Sequence, residues 1–236
     1  MDILNKTFLW LKNYLFPSAC LLCNKSLINA FEIRYGLCQH CLVLINPRQG
    51  LKCNVCGIPL ISEIHTCLAC RSTKRSYDRL WVIFPYTGKY RKLLSAYKFN
   101  KNIALADFFA EKILDVINDN PILKDAVIVP VPPRPGKIKT LGWDQVEYLV
   151  KRLERISKDK KICRCLKRHK SKIQKQLTRK ERMENLKGRI YSKGSTPQIA
   201  LIIDDVITTG STIEVCADVL KAAGTKEVYG LCLFYD

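Results

Sequence analysis

Two spacings of apolar residues recur along the chain and predict alternating strands and helices. Short apolar runs rich in β-branched residues predict buried strands at about 80–86, 126–129, 162–166, 199–203 and 228–235. Apolar residues at helical spacing predict helices at about 90–99, 103–118, 143–155 and 213–223. Alternation of this kind predicts an α/β fold, in which a mostly parallel sheet carries helices on both faces. We expect this body to span residues 78–236.

The first residues follow a different pattern. Apolar side chains at Leu4, Phe8, Leu11 and Leu15 predict one amphipathic helix, which we treat as a separate region, 1–17. It either packs on the protein itself or lies on a membrane surface. The stretch is too short and too often interrupted by polar residues to span a bilayer or act as a signal peptide. We therefore expect no transmembrane segment and a cytoplasmic protein.

Between these two regions, residues 18–72 contain a regular set of cysteines. Four Cys-x-x-Cys pairs occupy this stretch: Cys20 and Cys23, Cys38 and Cys41, Cys53 and Cys56, and Cys67 and Cys70. Paired thiolates at this spacing are typical of structural zinc, so we predict two four-cysteine sites in a small double zinc ribbon. An iron–sulfur cluster is the alternative. Pairing of the first four and the last four closes the shorter loops, while an interleaved pairing stays open.

The most informative motif is the stretch from Leu201 to Thr212. Its apolar run is predicted to stop at Asp204 and Asp205, and a loop of small hydroxylated residues follows before a helix. The loop residues are Thr208, Thr209, Gly210, Ser211 and Thr212. Hydroxyls and free N–H groups at a helix N-terminus favour a phosphate, and open α/β sheets bind ligands at the carboxyl ends of their strands. A phosphate beside two carboxylates indicates a sugar phosphate whose ribose hydroxyls bind the acids.

The charge of the chain is concentrated in one segment. The formal net charge is +19, and residues 151–193 contain 18 Lys and Arg against four acids, or +14. A small anionic substrate does not need such a surface, whereas a long polyanion, a nucleic acid, would use it. A solvated basic face that only aids solubility is the alternative.

The acidic motif resembles the phosphoribosyl-diphosphate (PRPP) motif of the type I phosphoribosyltransferases. The whole chain resembles the ComF family, in which a zinc ribbon precedes a phosphoribosyltransferase-like domain. Four segments match that family in order: the N-terminal helix that runs through Phe16-Pro17 into Cys-Leu-Leu-Cys, 86–99, the Val-Pro-Val-Pro turn at 129–132, and a Gln…Leu…Arg…Asn segment at Gln174, Leu177, Arg182 and Asn185. The resemblance covers essentially the full length.

The resemblance implies a function. ComF proteins act in natural competence and DNA uptake or utilisation, and members resemble single-strand DNA binders that also bind PRPP. Here PRPP would bind with Mg²⁺, Asp204 and Asp205 would hold the ribose as the catalytic pair, and the hydroxyl-rich loop would hold the 5′-phosphate. Lys98 and Arg134 are the candidates beside the diphosphate. Proteins of the competence machinery would be further partners.

Two other functions stay open at this stage. The chain is alternatively an active phosphoribosyltransferase on an unidentified acceptor, without a DNA role. A third function is protein docking, in which the cysteine-rich region and the basic segment form the docking surface. This function would be favoured if neither PRPP nor DNA bound. The first alternative must account for a departure from the family pattern. Leu141 stands where the family has an arginine suited to covering diphosphate, and Asp144 stands in place of an asparagine. Lys137 and Lys139 are candidates to compensate.

Overall fold

A computed structural model describes residues 18–45, 50–61, 65–169 and 188–236. The predicted helix of residues 1–17 and the family-like segment from Gln174 to Asn185 lie outside these ranges. The chain divides into two compact units, one made of residues 1–46 and 87–108 and the other of residues 47–86 and 109–236. The boundaries predicted from the sequence, at residues 17, 72 and 78, stay a prediction.

The helices and strands predicted from the apolar periodicity appear in the predicted order, but three short helices among the cysteines and a short strand at 190–192 were not predicted. The helices are α1 (Ala30–Tyr35), α2 (Gln39–Leu44), α3 (Leu68–Ser72), α4 (Gly88–Lys98), α5 (Ala104–Asn118), α6 (Lys137–Leu141), α7 (Gln145–Ile156) and α8 (Ser211–Ala222). The strands are β1 (Arg79–Pro85), β2 (Val127–Pro130), β3 (Leu166–Arg168), β4 (Ile190–Ser192), β5 (Ile199–Ile207) and β6 (Glu227–Tyr235). The short helix α6, just after the proline-rich turn, was not predicted.

In the described part of the first compact unit, the Cys20–Cys23 turn precedes two short helices, and Cys38 and Cys41 lie at the start of the second one. The Asn29 side chain caps α1 by accepting from the backbone N–H of Glu32. The Glu32 carboxylate accepts from the N–H groups of Ile28 and Gln39, at 2.9 and 2.8 Å, and so joins the start of α1 to the start of α2. These bonds satisfy N–H groups that such short helices leave without an internal partner.

The second compact unit contains a four-stranded sheet in the order β1-β6-β5-β2, with every pair of neighbours parallel. The two central strands are buried along nearly their whole length, from Ala200 to Asp205 and from Val228 to Phe234. Burial on both faces explains their continuous apolar runs. The predicted α/β class with a mostly parallel sheet and flanking helices is confirmed.

Strand β5 is longer than the sequence predicted. We expected it to end at Asp204, but it continues through both carboxylates to Ile207. The reason is its neighbour β6, which keeps pairing with it as far as Ile207 opposite Tyr235. On the other side β2 stops earlier, because Pro130 lies opposite Ile203 and ends that strand. The acidic pair therefore lies on a stretch of β5 that has a strand on one side.

The strand predicted at 162–166 also differs. Ile162 makes one isolated parallel bridge to Ile128, and the regular strand β3 begins only at Leu166, where it pairs antiparallel with β4. Across the four described ranges, no helix has the length and apolar character needed to cross a membrane.

The second four-cysteine knuckle packs into the core of the second compact unit. Cys53, Cys56 and Cys67 belong to the same buried cluster as residues of β1 and α8, among them Leu80, Ile213 and Leu220. The backbone N–H of Leu80 donates to the carbonyl of Val55, and the Lys52 ammonium donates to the carbonyl of Val82. This knuckle therefore lies along β1, an edge strand of the sheet.

Candidate functional site

The acidic pair lies at the carboxyl end of the sheet and is largely buried. Asp204 is 8% exposed and Asp205 is 5% exposed. The backbone N–H of Asp205 donates to the Asp204 carboxylate at 2.8 Å. Burial next to Asp204 and Asp205 raises the pKa of Cys232 well above its ordinary value, so this neighbouring thiol stays neutral. Two carboxylates that stay close in a buried position are poised to bind a cation or the hydroxyls of a ligand.

A network of polar side chains connects the acidic pair to the segment that departs from the family pattern. The amide nitrogen of Gln145 donates to Asp205 at 2.9 Å. The Lys137 ammonium bonds the Gln145 amide oxygen and the Asp144 carboxylate, the latter at 2.6 Å. Asp144 in turn caps α7 by accepting from the N–H groups of Val146 and Glu147. The charge of Asp144 is thus balanced by Lys137, one of the two lysines named as candidates to compensate.

The hydroxyl-rich loop connects β5 to α8. Gly210 caps the helix with a φ of 77°, a left-handed conformation that glycine adopts readily. The hydroxyls of Thr209 and Ser211 lie 2.8 Å apart, and Ser211 is buried. The backbone N–H of Ser211 donates to the Thr209 hydroxyl at 3.4 Å, and that of Glu214 donates to the Gly210 carbonyl. The N–H groups before that of Glu214 lie at the positive end of the helix dipole, where an anion is stabilised.

Arg134 lies in the proline-rich loop and lines a basic cavity of about 380 Å³. Among the other residues that line the cavity are Lys139, Lys167, Arg168 and Tyr191. Arg164 also lines it, but its guanidinium is bound by Glu147 at 2.7 Å and by both oxygens of Glu154. The cavity combines rigid apolar walls with an excess of positive charge, which suits an anionic ligand with an apolar part.

Arg168 is near both the cavity and the acidic pair. Burial lowers its pKa, and the positive charges of Arg134 and Arg189 lower it further, whereas the nearby carboxylate of Asp204 raises it. The guanidinium stays charged at neutral pH because its ordinary pKa is so high. Arg168 is therefore a cation that lines the cavity and also interacts electrostatically with Asp204.

The predicted site residues fall into two groups in the structure. Asp204, Asp205 and the loop from Thr208 to Thr212 are contiguous in the chain, and Arg134 belongs to the same compact unit. Lys98 lies in the last turn of α4, in the first compact unit. The Gln145 contact and the position of Arg168 were not predicted. Gln145 ends the stretch from Leu141 that departs from the family pattern, but nothing in the sequence pairs it with Asp205.

The eight predicted metal ligands form two clusters, each from four consecutive cysteines of the set. In each cluster the four sulfur atoms all lie within 4.8 Å of one another. The sulfurs of Cys23 and Cys38 are 3.6 Å apart, and so are those of Cys56 and Cys67. A tetrahedral zinc ion with bonds of about 2.3 Å separates its sulfur ligands by roughly 3.8 Å, so both clusters fit zinc.

In each cluster, backbone N–H groups lower the pKa of one thiol and so favour its metal-binding thiolate form. Burial would raise the pKa of Cys20, but the N–H groups of Cys38, Cys23 and Leu22 lower it to about 7. Burial would also raise the pKa of Cys53, but neighbouring backbone N–H groups lower it to about 7. Thiolates are the metal-binding form of cysteine, so the first cysteine of each cluster is a ready ligand.

Comparison with known proteins agrees with this architecture. A family model described as a double zinc ribbon domain matches residues 11–71. Competence protein F of Haemophilus influenzae is 28% identical to the chain over 223 residues, which cover 90% of this chain and 95% of that protein.

Two further relatives are similar over nearly their full length. Competence protein ComFC of Streptococcus pneumoniae is 26% identical over 89% of this chain and 96% of its own length. DNA utilization protein YhgH of Salmonella typhimurium is 26% identical over 92% of this chain and 97% of its own length. The resemblance to the ComF family is thereby confirmed: the chain is related over about nine-tenths of its length to proteins named for competence and DNA utilisation, and it carries a double zinc ribbon.

Proposed function

We propose that the chain binds PRPP together with Mg²⁺ and takes part in natural competence or DNA utilisation. One observation carries the PRPP part of this proposal. Two buried carboxylates, Asp204 and Asp205, lie at the carboxyl end of a parallel sheet, and a hydroxyl-rich loop follows them at the start of the 12-residue helix α8. This order supports PRPP binding, because carboxylates suit ribose hydroxyls and the start of a helix suits a phosphate.

The residues then take distinct roles. Thr208, Thr209, Gly210, Ser211 and Thr212 bind the 5′-phosphate through hydroxyl and backbone N–H groups. Asp204 and Asp205 accept hydrogen bonds from the ribose hydroxyls and stabilise positive charge that develops at the anomeric carbon. Gln145 and Lys137 hold the Asp205 carboxylate in place from the protein side.

Cations bind the diphosphate in this proposal. Arg134 and Lys139 line the basic cavity next to the proline-rich turn. Lys98, in the first compact unit, stays a prediction from the sequence. Mg²⁺ bound with PRPP would supply charge neutralisation for the diphosphate.

The names of the relatives and the charge of the chain support the DNA part of the proposal. Three relatives are named for competence or DNA utilisation, and the net charge is +19. Within the described part of the basic segment, Tyr191 is 37% exposed and stacks on His169 with ring centroids 4.2 Å apart. Aromatic faces next to Lys167 and Arg168 suit a single strand, whose bases stack while its phosphates bind cations.

Calorimetric titration of the zinc-loaded protein with PRPP and Mg²⁺ tests the first part. The double variant Asp204→Asn/Asp205→Asn should weaken PRPP binding by a factor on the order of 100, because it removes two charged acceptors. The control is Asp218→Asn, an exposed carboxylate on α8, which should bind as the wild type does. No PRPP binding by the wild type would refute this part.

Fluorescence anisotropy with a labelled single-stranded oligonucleotide tests the second part. Affinity should fall steeply with salt, because DNA binding releases condensed counterions. The double variant Lys167→Ala/Arg168→Ala should bind more weakly and with a shallower salt dependence. Its control, Lys74→Ala/Lys226→Ala, removes two exposed charges outside the basic segment. Equal loss in both double variants would show that only net charge matters.

Phosphoribosyl transfer to an acceptor is the second candidate function. The network around Asp205 supports it: Gln145 donates to this carboxylate and Lys137 binds Gln145, so a catalytic carboxylate would be held in place although Leu141 replaces an arginine. Release of diphosphate from PRPP in the presence of mixed nucleobases would establish turnover. Binding without diphosphate release over many hours would leave PRPP as a ligand or signal.

A further inference from the structure

The basic cavity next to the proline-rich loop contains more positive charge than its surroundings neutralise. All of its lining residues belong to the second compact unit, and they include five cations and one acid. The guanidinium of Arg164 is bound by that acid, Glu147, at 2.7 Å and by both oxygens of Glu154, so its charge is already balanced. The other four cations are Arg134, Lys139, Lys167 and Arg168. Within the described part of the chain, none of these four forms a salt bridge, so together they attract an anion.

The walls of the cavity are apolar and are held rigidly. Four prolines line it, Pro130, Pro132, Pro133 and Pro135, and the ring of each fixes its backbone φ. Tyr191 lines it from β4, and its ring stacks on His169 with the ring planes 20° apart. The segment before β3 is bound to α7 through Arg164, and the N–H of Lys193 donates to the Cys165 carbonyl at 2.8 Å. A rigid apolar surface that includes an aromatic ring suits a flat ring such as a nucleobase.

The positive charge of the cavity favours a compact dianion over a phosphodiester. A phosphate monoester carries a charge of about −1.5 to −2 at neutral pH and presents three strong acceptor oxygens. Each phosphodiester of a strand carries a single negative charge, and these charges are spread along the strand. Burial and the charge of Arg134 both lower the pKa of Arg168, while the charge of Asp204 opposes them less strongly. A bound dianion would relieve the repulsion between the two guanidinium groups.

The size of the cavity also indicates a ligand larger than phosphate alone. Its volume of about 380 Å³ lies within the range of roughly 300–1,000 Å³ that is typical of small-molecule sites. A phosphate group by itself would leave the proline-rich wall and Tyr191 uncovered. A ligand that carries both a flat ring and a phosphate monoester would use the walls and the cations together.

We propose that this cavity binds a nucleoside monophosphate. The phosphate binds Arg134 and Arg168, and the base packs against the proline-rich loop and Tyr191. A free mononucleotide and the phosphorylated end of a single strand share this chemistry. The proposal assigns a ligand other than PRPP to the cavity, and it does not depend on the proposed function.

Calorimetric titration of the zinc-loaded, full-length protein with dAMP tests the proposal. Deoxyadenosine and inorganic phosphate are the two partial ligands. The affinity for dAMP should exceed that for either partial ligand by a factor of about 10 or more, because the base and the phosphate each contribute contacts. Absence of dAMP binding, or equal affinities for dAMP and inorganic phosphate, would overturn the proposal.

Substitution of the two arginines tests the phosphate contacts. Arg134→Gln and Arg168→Gln should each weaken dAMP binding about tenfold, a loss expected for a hydrogen bond between charged groups. Arg134 is exposed, so its variant tests the site without disturbing the fold. The matched control is Lys226→Gln, which removes an exposed cation of the same compact unit outside the cavity. Wild-type affinity for dAMP in both arginine variants would refute the proposal.

Substitution of Tyr191 tests the contact with the base. Tyr191→Ala should weaken the binding of dAMP but not that of inorganic phosphate, because only the nucleotide has a ring to stack. Tyr191→Phe keeps the aromatic ring and should retain the affinity for dAMP. Equal affinities for dAMP in the wild type and in Tyr191→Ala would contradict a base at this wall.

A further variant distinguishes the cavity from the start of α8, where the 5′-phosphate of PRPP is proposed to bind. Thr209→Ala changes that loop and none of the residues that line the cavity, so it should bind dAMP as the wild type does. Loss of affinity in Thr209→Ala, with none in Arg134→Gln, would locate the nucleotide in the loop and overturn the proposal.

Displacement of dAMP by short single strands identifies the source of the ligand. One oligonucleotide carries a 5′-phosphate, and its control has the same sequence with a 5′-hydroxyl. Displacement by the phosphorylated strand alone would identify the end of a strand, and displacement by neither would identify a free mononucleotide. Equal displacement by both strands would show that phosphodiesters occupy the cavity, contrary to the proposal.

Competition between dAMP and PRPP connects the cavity to the proposed function. If PRPP binds as proposed, its diphosphate also uses Arg134, so dAMP should compete with it. Simultaneous binding of both ligands would remove Arg134 from the proposed diphosphate site and leave the nucleotide site in place. Failure of PRPP to bind would count against the proposed function alone, because the dAMP titrations contain no PRPP.

Discussion

At the scale of single residues, Asp144 shows how a departure from a family pattern is accommodated. Its carboxylate caps α7 with one oxygen and binds the Lys137 ammonium with the other. Asparagine could make the cap but not the ion pair. The negative charge is therefore part of a local structure and is balanced before any ligand arrives.

Replacing Asp144 separates its two roles. Asp144→Ala loses the cap and the ion pair and should lower the free energy of unfolding by about 1–2 kcal/mol, whereas Asp144→Asn keeps the cap and should lose less. Urea denaturation of the zinc-loaded protein measures both. The exposed carboxylate variant Asp218→Asn should unfold as the wild type does. Equal losses in Asp144→Ala and Asp144→Asn would assign the effect to the ion pair instead.

Lys137 should matter more than Lys139 for PRPP. Lys137→Ala removes the ammonium that holds Gln145, and through it Asp205, so PRPP affinity should fall roughly tenfold. Lys139→Ala leaves that network intact and should have a smaller effect. Calorimetry on both single variants and on the double variant makes the comparison. An affinity equal to the wild type in the double variant would rule out any compensation for Leu141.

At the scale of secondary structure, local motifs could be predicted but the partners of their residues could not. The Cys-x-x-Cys pairs and the stretch from Asp204 to Thr212 are contiguous, so their chemistry is visible in the sequence. Gln145 donates to Asp205, which lies 60 residues further along the chain, and the N–H of Ser76 donates to Glu214, which lies 138 residues further along. The end of β5 could not be predicted either, because it depends on how far β6 continues beside it and not on the residues of β5.

The turn of the second knuckle should not accept a side chain at Gly57. Gly57 has a φ of +68°, and a Cβ there would lie 2.4 Å from the carbonyl oxygen of Leu80. Gly57→Ala should therefore displace the knuckle from β1, lower the free energy of unfolding by about 3 kcal/mol or more, and speed zinc loss from the second cluster.

Gly194→Ala is the matched control for Gly57→Ala. Gly194 has a φ of +84°, but no atom lies within 4 Å of the added Cβ, so this variant has the backbone strain without the collision. Its loss should be about 1 kcal/mol. Similar losses in the two variants, measured by urea denaturation, would mean that the contact between knuckle and strand contributes little.

At the scale of the whole molecule, the two zinc clusters have different structural roles despite the same motif. Cysteines of the second cluster lie in the core that β1 and α8 share. Zinc bound there stabilises the sheet as well as the knuckle. The first cluster belongs to the other compact unit, together with α4.

Removal of zinc should therefore destabilise the sheet. Chelation should lower the melting temperature of the main unfolding transition by about 5 °C or more, because a few kcal/mol of metal binding are lost from a body of this size. Differential scanning calorimetry before and after chelation measures the shift, and adding back zinc should reverse it. A melting temperature that stays the same would mean that the knuckle unfolds independently.

The parallel pairing of β1 with β6 also determines the order of events during synthesis. Arg79 of β1 is paired with Tyr229, which the ribosome adds 150 residues later. At roughly 5–20 residues per second, β1 waits about 8–30 s for its partner strand, while its edge stays open to wrong pairing. The second knuckle is already complete by then, and Val55 binds Leu80 on that strand. Zinc uptake by the nascent chain thus gives β1 an early, correct neighbour on one edge, so that only the edge that faces β6 waits for the last strand.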